Sequence, residues 1–341
     1  MIYKKPLVYY TAKLPPEGSN LLKPFCEVIE NEIPSTKKDI ILNARNAYAL
    51  CCTVSDLIDE EIIASCSQLR IIAVLAGGYD NVDVDAATKR GIWVTQVPEL
   101  LTEPTADLTW ALLLAVARRL ISADSFVRSE KFTGWMHPTP FLGSNIFGKT
   151  LGIIGMGKLG KAIAHRASGF NMRVLYYQRH RLGVDSEGKL NLIYVSRDEI
   201  FRQSDFICIA TPLTDETFHQ ISERELSLME PSAYLINTAR GSEVDEEAIG
   251  RALKKKRIAG YAADVFEMED KKFISRPSYI NQYLIDQPGH TVLTPHLGAA
   301  VMETRIEIAK IQALDVLQVL KGERPFSAVN EVPLKPAVIT G

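Results

Sequence analysis

Arg240, Glu269 and His296 are the residues of this chain whose types and positions could together move a proton while a hydride moves. Arg240 lies in "INTARGSEVDEEAI", Glu269 in "GYAADVFEMED" and His296 in "TPHLGAA", each just past an apolar run. Hydride exchange between a carbinol and a nicotinamide needs a group that takes up and returns the hydroxyl proton, which imidazole does near neutral pH. A carboxylate hydrogen-bonded to that imidazole would orient it, and a guanidinium would clamp a carboxylate or polarise a carbonyl. Taken singly, each residue also has a plain structural use: a histidine in a Pro-His turn, an Arg-Gly pair capping a helix. The histidines at 137, 165, 180, 219 and 290 lack a comparable setting, although His137 falls in an aromatic connector where clefts form.

A second constellation precedes these. Gly155-Met156-Gly157-Lys158-Leu159-Gly160 follows the apolar stretch "TLGII" and opens a helical stretch. In this G-x-G-x-x-G spacing the first glycine makes a tight turn, the second admits a pyrophosphate and the third allows close helix packing. An NAD site would place an acidic residue near position 178 to hold the ribose 2′-hydroxyl, but Gln178 stands there, followed by Arg179, His180 and Arg181. Amide and guanidinium donors could accept a 2′-phosphate, so the cofactor is NAD or NADP, with NADP admitted; a solvated basic loop is the alternative. Further upstream, Gly77 and Gly78 in "LAGGYDN" leave bare backbone after "LRIIAV", either for a turn or for main-chain N–H groups approaching a ligand.

The elements that must position these groups follow from hydropathy. Short apolar runs (Leu7 to Tyr10, Ile40 to Asn43, Ile71 to Leu75, Ile92 to Thr95) alternate with helix-permissive segments and lack in/out alternation, which predicts parallel sheets covered on both faces. After Pro104, "TADLTWALLLAVARRLISADSFVRS" predicts one long, mostly buried helix. A glycine-, proline- and aromatic-rich connector, "EKFTGWMHPTPFLGSNIFGK", leads into a second strand–helix series from Lys149. The expected architecture is α/β with two doubly wound Rossmann-like domains. A tail helix, "METRIEIAKIQALDVLQVLKG", closes the chain.

Bulk composition narrows the partner. Among 341 residues, 39 Lys+Arg against 41 Asp+Glu give a net charge of −2, so no basic field recruits nucleic acid or anionic lipid, and a small anionic substrate is the expected partner. No uncharged apolar run is long enough for a membrane helix. Five cysteines without C-x-x-C spacing suit buried thiols in a reducing, cytoplasmic setting. No metal site is expected, since H-E-x-x-H and paired Cys/His spacings are missing.

The order and spacing of "GMGKLG", "NTARGSEVDEEAI", "GYAADVFEMED" and "TPHLGAA" resemble the D-isomer-specific 2-hydroxyacid dehydrogenase family over nearly the whole chain. The resemblance implies Arg240, Glu269 and His296 as the catalytic set and Asp264 at the nicotinamide end, with Pro212, Thr238 and Ala239 also on the cofactor side. It implies a flavodoxin-like substrate domain from 1–101 plus 299–341, hinged to an NAD(P)-binding Rossmann domain over 102–298, and a homodimer built through the helix after Pro104. Within the family, "DNVDVDAATKRGIWVTQVPELLTEPTADL", "FVRSEKFTGW" and Arg305 of "AAVMETRIEI" are similar to the phosphite (phosphonate) dehydrogenase branch. There a lysine occupies the position of Gly77, and a phosphite dianion gains from each fixed cation. Its loss favours a singly charged 2-hydroxy or 2-oxo carboxylate, held by Arg240 with N–H groups around Gly77 and Gly78; Trp135 and Arg305 complete the implied substrate set. Phosphite oxidation is the alternative activity, and a non-catalytic NAD(H) sensor is the alternative of another class.

Overall fold

The computed structural model describes residues 5–97, 99–271, 273 and 275–339. The chain divides into two compact units, one formed by Met1–Leu101 with Ala299–Gly341 and the other by Thr102–Gly298. In the first, strands β1 (Leu7–Tyr10), β2 (Glu27–Glu30), β3 (Ala47–Cys52), β4 (Ile71–Val74) and β5 (Trp93–Thr95) form a wholly parallel sheet in the order β2-β1-β3-β4-β5. This is the flavodoxin-like order of a doubly wound sheet. Inner strands such as β4 are buried at every position, as continuous apolar runs predict for a sheet covered on both faces.

The helix Met302–Leu320 returns to cover one face of this sheet. Its Gln312 donates to the Ala73 carbonyl at 2.6 Å, and it packs so closely on Pro16–Leu22 that a Cβ on Gly18 would overlap the Ala309 oxygen. The run Ile40–Asn43 is not a strand. It lies in the helix Lys37–Asn43, because Thr36 and Asp39 form a reciprocal capping box that starts the helix ahead of the apolar residues.

The second unit holds β6 (Thr150–Ile154), β7 (Arg173–Tyr177), β8 (Leu192–Tyr194), β9 (Phe206–Ile209), β10 (Tyr234–Asn237), β11 (Gly260–Ala263) and β12 (Thr291–Leu293). These pair in parallel in the order β12-β11-β10-β9-β6-β7-β8, so the winding reverses between β6 and β9. In open α/β sheets ligands bind beyond the carboxyl ends of the strands at such a reversal.

The long helix expected after Pro104 is broken into Thr102–Ala117 and Leu120–Arg128, with Arg119 at φ 53 between them. The break has a tertiary cause. Backbone from the connector docks on the first helix, where Ser144 N donates to the Ala117 carbonyl at 2.9 Å and a Cβ on Gly143 would overlap that oxygen. The acceptor that would have continued the helix is thereby occupied. Only the first half is buried, with Trp110 donating to the Ile163 carbonyl at 3.1 Å; the second half has no buried residue.

Candidate active site

The glycine loop has the geometry that a phosphate cradle requires. Gly155 adopts φ +93, where a Cβ would stand 2.6 Å from the Ala210 carbonyl oxygen, so only glycine makes this turn without strain. Gly157, which caps the helix Lys158–Ala167, has nothing within 4 Å of the place a Cβ would occupy. Gly157 stands at the helix N-terminus, where first-turn N–H groups and helix polarity favour an anion. A Cβ on Gly160 would overlap the Gly155 oxygen, so the third glycine lets the helix close on the turn. These features fit the pyrophosphate of a dinucleotide.

At the end of β7, Gln178 turns its side chain inward: Oε1 accepts from Met156 N at 3.1 Å and Nε2 donates to the His180 carbonyl at 2.6 Å. The two arginines that follow differ in availability. Arg181 donates twice to Glu187, whose carboxylate, also bonded by Tyr176, is held down at about 2 by these donors. Among the described residues Arg179 meets only the exposed Glu216, at 3.0 Å, and surface pairs of this kind hold a side chain weakly.

Asn237, the last residue of β10, fixes the turn that carries Arg240. Its amide donates to the Arg240 carbonyl at 2.8 Å and its oxygen accepts from Ala239 N at 3.0 Å. Thr238 is tied to Thr109 at 2.7 Å. Gly241 then brings this turn against the next one, because a Cβ there would overlap the Phe266 carbonyl. The Phe266–Glu267 backbone it touches leads into the single helical turn Glu267–Glu269. Glu269 Oε1 accepts from Phe266 N at 2.7 Å, and Oε2 meets His296 Nδ1 at 2.6 Å. With Nδ1–H on the carboxylate, Nε2 is the nitrogen that can exchange a proton.

His296 sits in the left-handed region, φ 57, and Asp264 holds it there. The Asp264 backbone carbonyl accepts from His296 N; Oδ1 accepts from Thr294 Oγ1 at 2.6 Å and Leu297 N at 2.7 Å, and Oδ2 from Gly298 N at 2.8 Å. The carboxylate is 1 % exposed, so its observed work is to shape the histidine loop. Arg240, Glu269 and His296 are thus linked through one chain of close contacts.

Two polar groups escaped the sequence reading. His219, set aside for lack of a setting, has one: Nε2 lies 3.0 Å from Glu267 Oε2, and that hydrogen bond raises its pKa. No sequence signal joins it to Glu267, 48 positions further on. Glu243 is fully buried beside the Arg240 turn, where Thr211 and Gln220 donate to it.

In the other unit Gly77 does not adopt a left-handed φ, and a Cβ there would stand 3.1 Å from Leu101 Cδ1 and 3.5 Å from the Val97 oxygen. The bare backbone therefore accommodates Val97 and Leu101. Arg305 has no hydrogen-bond or ion-pair partner for its guanidinium among the described residues, and burial lowers its pKa. Trp135 is fully exposed, in the connector with His137, so nothing in its own unit encloses it. Among the described residues no cluster could hold a metal ion, and no helix is long and apolar enough to cross a membrane.

A model of the NAD binding domain of D-isomer specific 2-hydroxyacid dehydrogenase matches residues 110–298. The glyoxylate reductase of Thermococcus gammatolerans is 44% identical over 339 residues, covering 97% of this chain and 98% of that protein. A crystal structure of a Thermus thermophilus protein superposes with TM-score 0.86 at 36% identity, covering 95% of this chain and all of that one. The NADPH-dependent glyoxylate/hydroxypyruvate reductase of Sinorhizobium meliloti, solved with NADP and malonate, superposes with TM-score 0.83 at 26% identity over 97% of this chain and 99% of that one.

Proposed function

This chain belongs to the D-isomer specific 2-hydroxyacid dehydrogenase family, NAD(P)-dependent oxidoreductases acting on CH–OH groups, and we propose that it reduces a short 2-oxo acid of the glyoxylate class. The observation that carries this reading is the 2.6 Å bond from Glu269 to His296 Nδ1, which leaves Nε2 as the proton donor. The nicotinamide, when bound, supplies the hydride to the carbonyl carbon. His296, as imidazolium, gives its Nε2 proton to the carbonyl oxygen, so one hydride and one proton convert the 2-oxo acid to the 2-hydroxy acid. Glu269 stabilises the imidazolium before transfer, and Arg240 pairs with the substrate carboxylate or polarises the carbonyl.

For the cofactor we propose contacts from Gly155, Gly157, Lys158, Leu159, Gly160, Gln178, Pro212, Thr238 and Ala239. Asp264 acts on that side through the histidine loop. Arg179 is proposed for a 2′-phosphate, which favours NADPH: position 178 has no carboxylate to repel that phosphate, and Glu216 holds Arg179 only weakly. In the other unit Gly77, Gly78 and Arg305 remain the proposed contacts to the substrate anion, and the half-buried Arg305 guanidinium, without a partner among the described residues, supports this. Trp135 remains a proposed substrate contact on the sequence resemblance alone.

Exposed apolar side chains at Leu120, Ile121, Val127, Phe132 and Leu142 support a homodimer through this region, and sedimentation as a monomer would overturn that part. Five buried free cysteines fit a reducing, cytoplasmic compartment.

The deciding assay follows NAD(P)H with glyoxylate, hydroxypyruvate and phosphite as substrates. Turnover of the 2-oxo acids, with higher kcat/KM for NADPH than for NADH, is expected. His296→Ala should lose about 10²- to 10⁴-fold in kcat, the range of a lost general acid. Phosphite-dependent reduction of the oxidised cofactor without 2-oxo acid turnover would instead establish the phosphite reading.

A further inference from the structure

Glu243 lies three residues past Arg240 and is 0% exposed. Thr211 Oγ1 and Gln220 Nε2 both donate to its Oε2, Gln220 at 2.5 Å, while Oε1 has no hydrogen-bond partner among the described residues. The two donors stand at opposite ends of the loop 211–220, and Gln220 also donates to Thr211 Oγ1 at 2.7 Å. Backbone bonds from His219 N to the Ser242 carbonyl, Ile221 N to the Glu243 carbonyl and Asp245 N to the Ile221 carbonyl stitch the far end of that loop to the Arg240 turn. The near end, Thr211 and Pro212, has only the Glu243 side chain among these links.

We propose that Glu243 is a positioning residue that works as the neutral acid, tying the Thr211–Pro212 end of this loop to the Arg240 turn without competing for the Arg240 charge. A carboxylate whose free oxygen faces no donor would carry an unsolvated charge, whereas a neutral acid with its proton on Oε1 leaves Oε2 to accept both bonds. Burial accordingly pushes the Glu243 carboxyl up to about 8, against the pull of the two donors. The charged groups acting on it are Arg240, which favours ionisation, and Asp270, which opposes it; Asp270 is itself seated on Ser242 N at 2.7 Å. His219 is engaged by Glu267.

The consequence rests on the reading of Arg240 as the clamp for the substrate carboxylate. As pH rises through this range, Glu243 becomes an anion beside Arg240 and part of the guanidinium's field is turned from the substrate. The affinity for a 2-oxo acid should fall while the loop loses its neutral tie.

Glu243→Gln tests this, because the amide oxygen can accept the same two bonds but cannot ionise. Between pH 7 and 9 the KM for glyoxylate of the unmodified enzyme should rise about tenfold more than that of E243Q, the scale of one added charge near a guanidinium at moderate effective dielectric. Any other pH-dependent step is common to both proteins and cancels in the ratio. Equal pH dependence in the two would overturn the proposal. Difference infrared spectroscopy supplies a second arm that needs no substrate: a protonated-carboxyl stretch should persist above pH 7, disappear towards pH 9 and be missing from E243Q. Its absence at pH 7 in the unmodified protein would also overturn the proposal. If glyoxylate were not turned over at all, the proposed function would fail while the infrared titration would still decide the state of Glu243.

Discussion

Glu269 accepts two bonds, from Phe266 N and from His296 Nδ1, and an amide in its place has one oxygen for both donors. Glu269→Gln therefore either unties the helical turn or leaves the imidazole without its acceptor. In both cases the charged form of His296 loses its stabilising carboxylate, and kcat should drop about 10²-fold or more, the scale of impaired general acid catalysis. The KM for NAD(P)H should hardly change, since the glycine loop is untouched; a variant with normal kcat would remove Glu269 from the proposed set. Arg240, Glu269 and His296 were legible in the sequence because each follows an apolar run, so their place at strand ends could be read without tertiary knowledge. Glu243 and His219 were not. Their settings arise where the 211–221 loop crosses the 242–267 region, and no local pattern announces which polar residue such a crossing will bury.

Elements were readable where burial is two-sided and obscure where tertiary contacts override local preference. β4 and β9 appear as apolar runs because helices cover both faces, whereas β2, "EVIE", is a half-exposed edge strand flanked by glutamates and left no such trace, and the strand expectation at Ile40–Asn43 missed the neighbouring β3. The break at Arg119 is set by connector backbone arriving from residues 143–144, which the periodicity of the helix could not register. The end of Glu246–Lys254 offers a cleaner test of local logic. There Lys256 adopts φ 53, its N–H bonds the Leu253 carbonyl at 2.9 Å and Arg257 N bonds the Ala252 carbonyl at 2.8 Å, the double bond of a Schellman ending. A side chain in the left-handed region costs about 1–2 kcal/mol, part of which glycine's greater unfolded-state entropy offsets. Lys256→Gly should thus stabilise the protein by about 0.5–1 kcal/mol in denaturant unfolding, with kcat unchanged. An unaltered or lower midpoint would show that the exposed lysine makes contacts worth more than the strain.

The two units differ in how the chain composes them, and this carries a prediction for the molecule as a whole. Thr102–Gly298 is contiguous and contains all seven strands of its sheet together with both of its apolar clusters. The other unit is assembled from the two ends of the chain: Ala313, Val316, Val319 and Leu320 pack in one cluster with Val8, Tyr10, Ala73 and Trp93. The same tail supplies Gln312 to the Ala73 carbonyl and Asn330 to Val94 N. Deleting residues 299–341 would strip one face of that sheet. At about 1.5–3 kcal/mol per buried aliphatic side chain, losing the contacts of Val316, Val319 and Leu320 alone rivals the about 5–15 kcal/mol that holds a domain folded. A fragment spanning 1–101 should therefore show no cooperative thermal transition by circular dichroism. A fragment spanning 102–298 should melt cooperatively and retain NAD(P)H binding in a fluorescence titration, since its glycine loop and strand ends lie within one stretch of chain. A cooperative melt for 1–101 would mean that the five-stranded sheet is stable with one face bare, and that the C-terminal helix serves some purpose other than completing the core.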